Sequence, residues 1–455
     1  GTIASLVVYF GAEFFTGTLL KTPYSVFALK ILGPALIVVA VLGVLRGFFQ
    51  GLGTMMPSAI SQIIEQIVNA IISVWAAYVL TGYGRKIGAV LGDPDHYGAA
   101  YGAAGGTLGT NLGSVAALLF VLFIFFAYMH VFKRQMKRER NVKVDPFSYT
   151  LKVLIITIIP VLLSTTVYNI SGIIDQGIFK NVALLQGYSD HQIDLWWGVF
   201  TGKYKLLINV PISIASAMAA SSVPTLTASF AADDMESVRT QINAANRFVM
   251  VIAFPCAIGL AALGKPIFTL LFPGTVATAD MAATMMWVGA MAVVFYAMST
   301  LSNGLLQGIN RLKVPVVNAA IALVAHIILL IILMLFLRLN IYAVVISNMF
   351  FAFAMCILNS RAIRKYSGYK QEIVKTFVIP AIASLIMGVI AFFAYKGIYF
   401  VIKSNAIATV LSILIAMVVY AVTLLLCKGL TEAEILRFPK GALLVRIAKK
   451  LHLLK

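Results

Sequence analysis

The stretch Arg46-Gly47-Phe48-Phe49-Gln50-Gly51 closes one long apolar run, and Asn303-Gly304-Leu305-Leu306-Gln307-Gly308 closes another. Gly47, Gln50 and Gly51 recur as Gly304, Gln307 and Gly308 at one fixed offset, and a proline follows each copy, Pro57 and Pro315. Such a recurrence inside a hydrophobic chain reads as two duplicated halves, an arrangement on which many transporters are built.

The rest of the chain fits that reading. It is 61% hydrophobic and 11% charged over 455 residues, more apolar surface than a soluble fold of this size can hide. Runs of about 20 apolar residues read as membrane helices, because the bilayer core offers no water to unpaired backbone groups. The short alternating strands of a membrane barrel are not seen. About twelve runs are expected. They lie near 2–20, 28–50, 57–81, 98–132, 150–178, 197–230, 242–271, 281–307, 314–338, 341–361, 375–400 and 404–428. The fold class is therefore an all-α polytopic membrane protein.

The net charge is +19, from 35 Lys and Arg against 16 Asp and Glu. In a soluble protein this would suggest nucleic acid. Here the cations cluster in alternate loops, at Lys133 to Lys143, Arg311 and Lys313, Arg361 to Lys375, and in the C-terminal tail. The pattern fits a cytoplasmic side facing anionic lipid, with the C-terminus on that side, and no nucleic-acid partner is expected. The acidic loop Asp233-Asp234-Met235-Glu236 weighs little in this rule. Segment 133–147 reads as a linker between a first lobe, 1–132, and a second, 148–366. Two further helices occupy 367–430. Over 431–455, a capping-box pattern at Thr431-Glu432-Ala433-Glu434 precedes a basic amphipathic tail suited to a membrane surface or to solvent.

Gly1 has no Met before it and no charged leader follows, so the chain reads as a fragment without a signal peptide. Cys256, Cys356 and Cys427 lie in apolar runs and suggest packing residues, with neither a disulfide framework nor a metal site. No P-loop, HExxH, CxxC pair or GxSxG is present, so an enzyme is not expected. The glycine-rich 101–109 sits on an apolar helix and suggests close helix packing.

Ionisable groups within spans are costly and usually face the bundle interior or a wet cavity. The third span carries Ser58, Gln62, Glu65, Gln66 and Asn69 at helical spacing. That polar stripe either lines a hydrated cavity or bonds neighbouring helices. The sixth carries Lys203, Lys205, Asn209, Ser213 and Ser216. Lys205 shares a face with Asn209 and could attract an anionic head group, whereas Lys203 points elsewhere, snorkelling to the interface. Alternatively, both lysines mark the outer helix end. Asp175 could bind a coupling cation, pair with a lysine, or cap a helix end facing water. Asn318 and His326 share a helix face, and the lone histidine reads as a packed, hydrogen-bonded residue. Asn243, Asn246 and Arg247 open the seventh span, and Arg46, at the end of the second, forms either part of the cytoplasmic mouth of a path or an interfacial anchor.

With its span order, its echoing halves, and Arg46 to Gly51 leading into Met55-Met56-Pro57-Ser58-Ala59-Ile60-Ser61-Gln62-Ile63-Ile64-Glu65-Gln66, the chain resembles the lipid-linked oligosaccharide and polysaccharide exporters of the MOP superfamily. The likeness is to Gram-positive MurJ-like lipid II flippases and their sporulation (SpoVB-like) relatives. It implies two pseudo-symmetric six-helix lobes, the first lacking two helices here, plus two C-terminal helices. It also implies a flippase for an undecaprenyl-pyrophosphate-linked cell-wall precursor, lipid II foremost, in the bacterial cytoplasmic membrane. Arg46, Gln62, Glu65, Gln66, Asn69, Lys203, Lys205, Asn209 and Arg247 are the candidate substrate-binding residues. A cation site in some members implies Asp175 and Asn318 as candidate ligands for Na+, with H+ the other candidate coupling ion. Ala322 stands where that site has a second aspartate. No other cofactor is implied. Expected partners are the lipid-linked oligosaccharide, membrane lipids and cell-wall synthesis proteins. The alternatives are export of another lipid-linked polysaccharide, cation-coupled drug antiport, and a non-transporting scaffold for wall or spore assembly.

Overall fold

The computed structural model describes residues 1–52, 54–138 and 146–429, with residues 432, 442, 445, 446 and 449. Residues 139–145 of the expected linker, and nearly all of the expected amphipathic tail, lie outside the described residues. Among the described residues the ordered elements are all helical, the form that satisfies backbone polar groups in hydrocarbon. The chain divides into two compact units, Gly1–Thr150 and Leu151–Lys455. Unit 1 holds α1 (Thr2–Glu13), α2 (Val26–Gly51), α3 (Met56–Leu91) and α4 (Pro94–Arg138). The division falls on α5 (Phe147–Leu185). Unit 2 continues with α6 (Asp190–Val199), α7 (Leu206–Ala231), α8 (Met235–Ala262), α9 (Gly264–Leu271), α10 (Ala279–Gly289) and α11 (Met291–Gly308). It ends with α12 (Lys313–Leu335), α13 (Ile341–Ser367), α14 (Ile379–Ile402) and α15 (Asn405–Leu426).

Ten helical stretches among the described residues are long and apolar enough to cross a membrane, and α10 with α11, bent by 55°, make an eleventh. Each expected apolar run lies on one of these stretches or on α5, except that 242–271 continues past the end of α8 onto the separate short helix α9. The boundaries differ in one informative place. The pattern of apolar runs places Arg85 and Lys86 in a loop, but α3 continues to Leu91 and α4 starts at Pro94. The reason is the seam between them. A Cβ on Gly84 would meet the Tyr97 carbonyl oxygen at 2.4 Å, and one on Gly88 the Asp93 carbonyl oxygen at 2.5 Å. Gly92 then turns the chain with φ +84°, a conformation open to glycine at no steric cost.

The seam runs on through the glycine-rich stretch of α4. Gly105 lies against the backbone of Ala76 and Ala77, Gly109 against Ser73, and Gly113 against the Glu65 carbonyl. Small residues at these spacings let two long helices touch backbone to backbone, which suits association in lipid. Unit 1 otherwise buries little: Leu42, Phe49, Ala117 and Val121 form its core, with Phe48, Phe125 and Tyr128 packed around them. One face of α3, including Ile63, Ile67, Ile71, Val74 and Tyr78, is exposed and apolar, the surface a bilayer accepts.

Unit 2 has a larger core, centred on α7, α8, α10, α11 and α13. Gly304 and Gly308 of the second motif copy face Ala219 and Leu226 of α7. The two C-terminal helices belong to this unit. Gly388 of α14 lies against Ile258 of α8, and the Tyr420 hydroxyl of α15 donates to the Val251 carbonyl at 2.7 Å.

Candidate functional site

In unit 1 the polar residues meet where α2, α3 and α4 converge. Arg46 donates from Nε to Ser61 Oγ at 2.8 Å and from Nη2 to Glu65 Oε2 at 2.8 Å. Ser114 of α4 donates to the other Glu65 oxygen at 3.2 Å. Gln50 reaches Ser58 at 3.3 Å. Asn69 Oδ1 accepts from Ser73 at 2.7 Å and Thr110 at 3.4 Å. The expected polar stripe therefore splits. Ser58, Glu65 and Asn69 tie helices together, while Gln62 and Gln66 stay exposed at the margin. Arg46 and Glu65 were candidates for separate contacts with cargo, but they neutralise each other with side chains 17% and 20% exposed.

Removing one member of such a pair leaves the other charge without its partner, which costs far more than removing both. Arg46→Leu is expected to lower stability by about 2–3 kcal/mol, and Arg46→Leu with Glu65→Leu by less than half of that. Unfolding of the detergent-held protein compares them. Equal losses in the single and double variants would show that the ion pair is not what joins these helices.

In unit 2 both lysines of the sixth expected span lie on a π-helical turn, Phe200–Lys205, between α6 and α7. A π turn takes in an extra residue and shifts side-chain register, often at functional positions. Here it rotates Lys203 inward, correcting the snorkelling expectation. Lys203 is buried, donates to the Thr278 hydroxyl, and lies 5.4 Å from the Phe272 ring centre. Lys205 is half-buried, with its ammonium 4.9 Å over the Phe200 ring. Asn209, Ser213 and Ser216 are exposed on the following turns of α7. This segment gathers two cations and an exposed polar face, an arrangement that attracts anionic groups.

Asp175 is fully buried and faces neither water nor a direct lysine partner. His326 Nε2 lies 2.6 Å from Asp175 Oδ1, and Asn348 Nδ2 donates to Oδ2 at 2.7 Å. The Tyr296 hydroxyl donates to Asn348 Oδ1 at 3.1 Å. His326 Nδ1 lies 2.8 Å from the Ser347 carbonyl, which can only accept, so Nδ1 carries a proton. Neutral imidazole would then turn the bare Nε2 lone pair toward Oδ1. The 2.6 Å contact requires one proton shared between His326 and Asp175. The cluster joins α5, α12 and α13 around that proton.

Asn318 is not part of this group. Its amide donates to Asn359 Oδ1 at 2.9 Å, and Asn359 in turn donates to Ser302 and to Asn303 of the motif. It lies eight residues from His326, about 12 Å along α12. The expected Asp175–Asn318 cation pair is therefore not assembled, and no cluster of three metal-ligating His, Cys, Asp or Glu residues occurs among the described residues. Arg247 is buried, donates to the Gly429 carbonyl at 2.8 Å and faces Glu372 at 4.0 Å. It fastens α8 to the chain after α15 and to the turn before α14. Sequence reasoning missed Ser114, Asn348 and Asn359. Ser114 follows Thr110 and Asn111 by one turn, Asn348 adjoins Ser347, and Asn359 adjoins Ser360 and Arg361, but these short polar groups are less prominent than the four-turn stripe that marked α3.

This helical fold is shared with solved transporters. An inward-facing multidrug resistance MATE family transporter of the MOP superfamily superposes with a TM-score of 0.58 at 16% identity, covering 81% of this chain and 79% of that one. A lipid II flippase MurJ in an inward closed conformation gives 0.50 at 17% identity, covering 92% of each chain. The fold is thus that of a multi-pass helical transporter. The family model for the lipid II flippase MurJ matches residues 3–418, and the chain belongs to that family. The lipid II flippase MurJ of Bacillus subtilis (strain 168) is 24% identical over 410 residues, 86% of this chain and 71% of that protein. Stage V sporulation protein B of the same organism is 22% identical over 243 residues, 53% of this chain and 43% of that protein. Family membership and the number of spans make this a multi-pass protein of the bacterial cytoplasmic membrane.

Proposed function

We propose that the chain flips an undecaprenyl-pyrophosphate-linked cell-wall precursor, lipid II first among them, across the cytoplasmic membrane by alternating access. The observation that carries this reading is the family match across residues 3–418. The cationic turn at Lys203 and Lys205 supports it, since a pyrophosphate is the anionic part of such a cargo and each charge-assisted contact is worth about 1.5–3 kcal/mol. Movement needs no covalent step. The driving force is the membrane potential or an ion gradient, and the basic loops and C-terminus face the cytoplasm.

The test is translocation of labelled lipid II in vesicles holding the purified full-length protein, under an imposed potential and under separate H+ and Na+ gradients. Translocation above protein-free vesicles is expected, with Lys205→Gln slowing it about tenfold at unchanged folding. No translocation under any gradient, alongside transport of a different lipid-linked glycan, would replace lipid II as the cargo.

A further inference from the structure

A cavity of about 520 Å³ lies within unit 2, walled by the α8–α9 break, α10 and the end of α14. Its walls are largely apolar, and Trp287, Phe392 and Tyr395 line it. Lys265 and Lys396 bring two ammonium groups to it against one carboxylate, Asp280. Lys265 lies 2.7 Å from Asp280, but both side chains are mostly exposed, at 60% and 73%. An exposed pair of this kind holds weakly, so Lys265 can turn to another anion at little cost. The Lys396 ammonium lies 4.5 Å over the Phe392 ring, a contact that leaves its outer side open to an anion.

The surroundings define the ligand. Trp287 is 74% exposed, and an indole left outside on a membrane protein belongs to the bilayer interface. Along α14 the neighbouring Phe393, Tyr399, Phe400 and Val401 are exposed, a surface suited to an acyl chain. Lys396 also stands on the cation-poor side of the chain by the alternation of basic loops, where a paired lysine site is out of keeping with orientation alone.

We propose that this cavity binds the phosphate of an anionic membrane lipid, with Lys265 and Lys396 on the phosphate and the acyl chain along α14. The proposal does not depend on the cargo being lipid II.

The experiment is native mass spectrometry of the full-length protein released from nanodiscs of mixed phosphatidylglycerol and phosphatidylcholine. Wild type should retain phosphatidylglycerol about tenfold over phosphatidylcholine. Lys265→Gln with Lys396→Gln should abolish that preference, and Lys403→Gln, an exposed cation at the end of α14, should not change it. Equal retention of the two lipids by wild type would overturn the proposal. So would an unchanged preference in the double variant, or a loss in Lys403→Gln as large as in the double variant. Inorganic phosphate displacing the lipid at matched concentration would overturn the lipid assignment. Proper folding of the double variant is read from an unchanged melting temperature. Should it fail to fold, Lys396→Gln alone is expected to lower the preference severalfold, and no change there would count equally against the site.

Discussion

Asp175→Ala is expected to lower stability by about 3 kcal/mol, while Asp175→Asn costs about 1 kcal/mol or less. The difference follows from the shared proton. Alanine removes an acceptor for Asn348 and leaves His326 Nε2 without a partner in a site where Asp175 is 0% and His326 1% exposed. Asparagine keeps both bonds. Its amide N–H supplies the proton that Nε2 needs, and its carbonyl accepts from Asn348 as the carboxylate oxygen did. Denaturant or thermal unfolding of the detergent-held protein measures both variants. Equal costs for alanine and asparagine would mean that no proton lies between Asp175 and His326.

The second large effect concerns the seam of unit 1. A Cβ on Gly105 would meet the Ala76 carbonyl oxygen at 2.5 Å and the Ala76 carbonyl carbon and Ala77 nitrogen at 2.6 Å. These are backbone atoms of a helix and cannot swing aside, so α3 and α4 must part. Gly105→Leu is expected to cost about 3 kcal/mol or more. At Gly106, the next residue, a Cβ would have nothing within 4 Å, and Gly106→Leu should stay within about 0.5 kcal/mol of wild type or gain slightly from helix propensity. Melting temperatures of the two variants give the comparison. A similar loss at both positions would place the damage in the lipid-facing surface instead of the helix contact.

The apolar runs were legible in the sequence because the bilayer imposes one rule on every span, length with few charges. The glycine-rich seam was legible for a related reason: repeated small residues on an apolar helix have few other uses. The α3–α4 turn was misplaced because Arg85 and Lys86 look like loop residues, whereas glycine contacts across the seam carry both helices past them. The polar stripe on α3 was visible by its period. Its division into tied and exposed residues was not, since that depends on which neighbour each turn meets.

What the sequence determined by itself is the set of membrane helices, the doubled motif and the family, all of which rest on composition, spacing and order along the chain. Tertiary structure alone decided the partners. Arg46 met Glu65, Asp175 met His326 rather than a lysine, and Asn318 turned to Asn359. The physical reason is that a buried charge must be satisfied by whatever polar group the packing brings within about 3 Å. Here the group that Asp175 reaches lies 151 residues away in the chain, a separation over which local pattern carries no information.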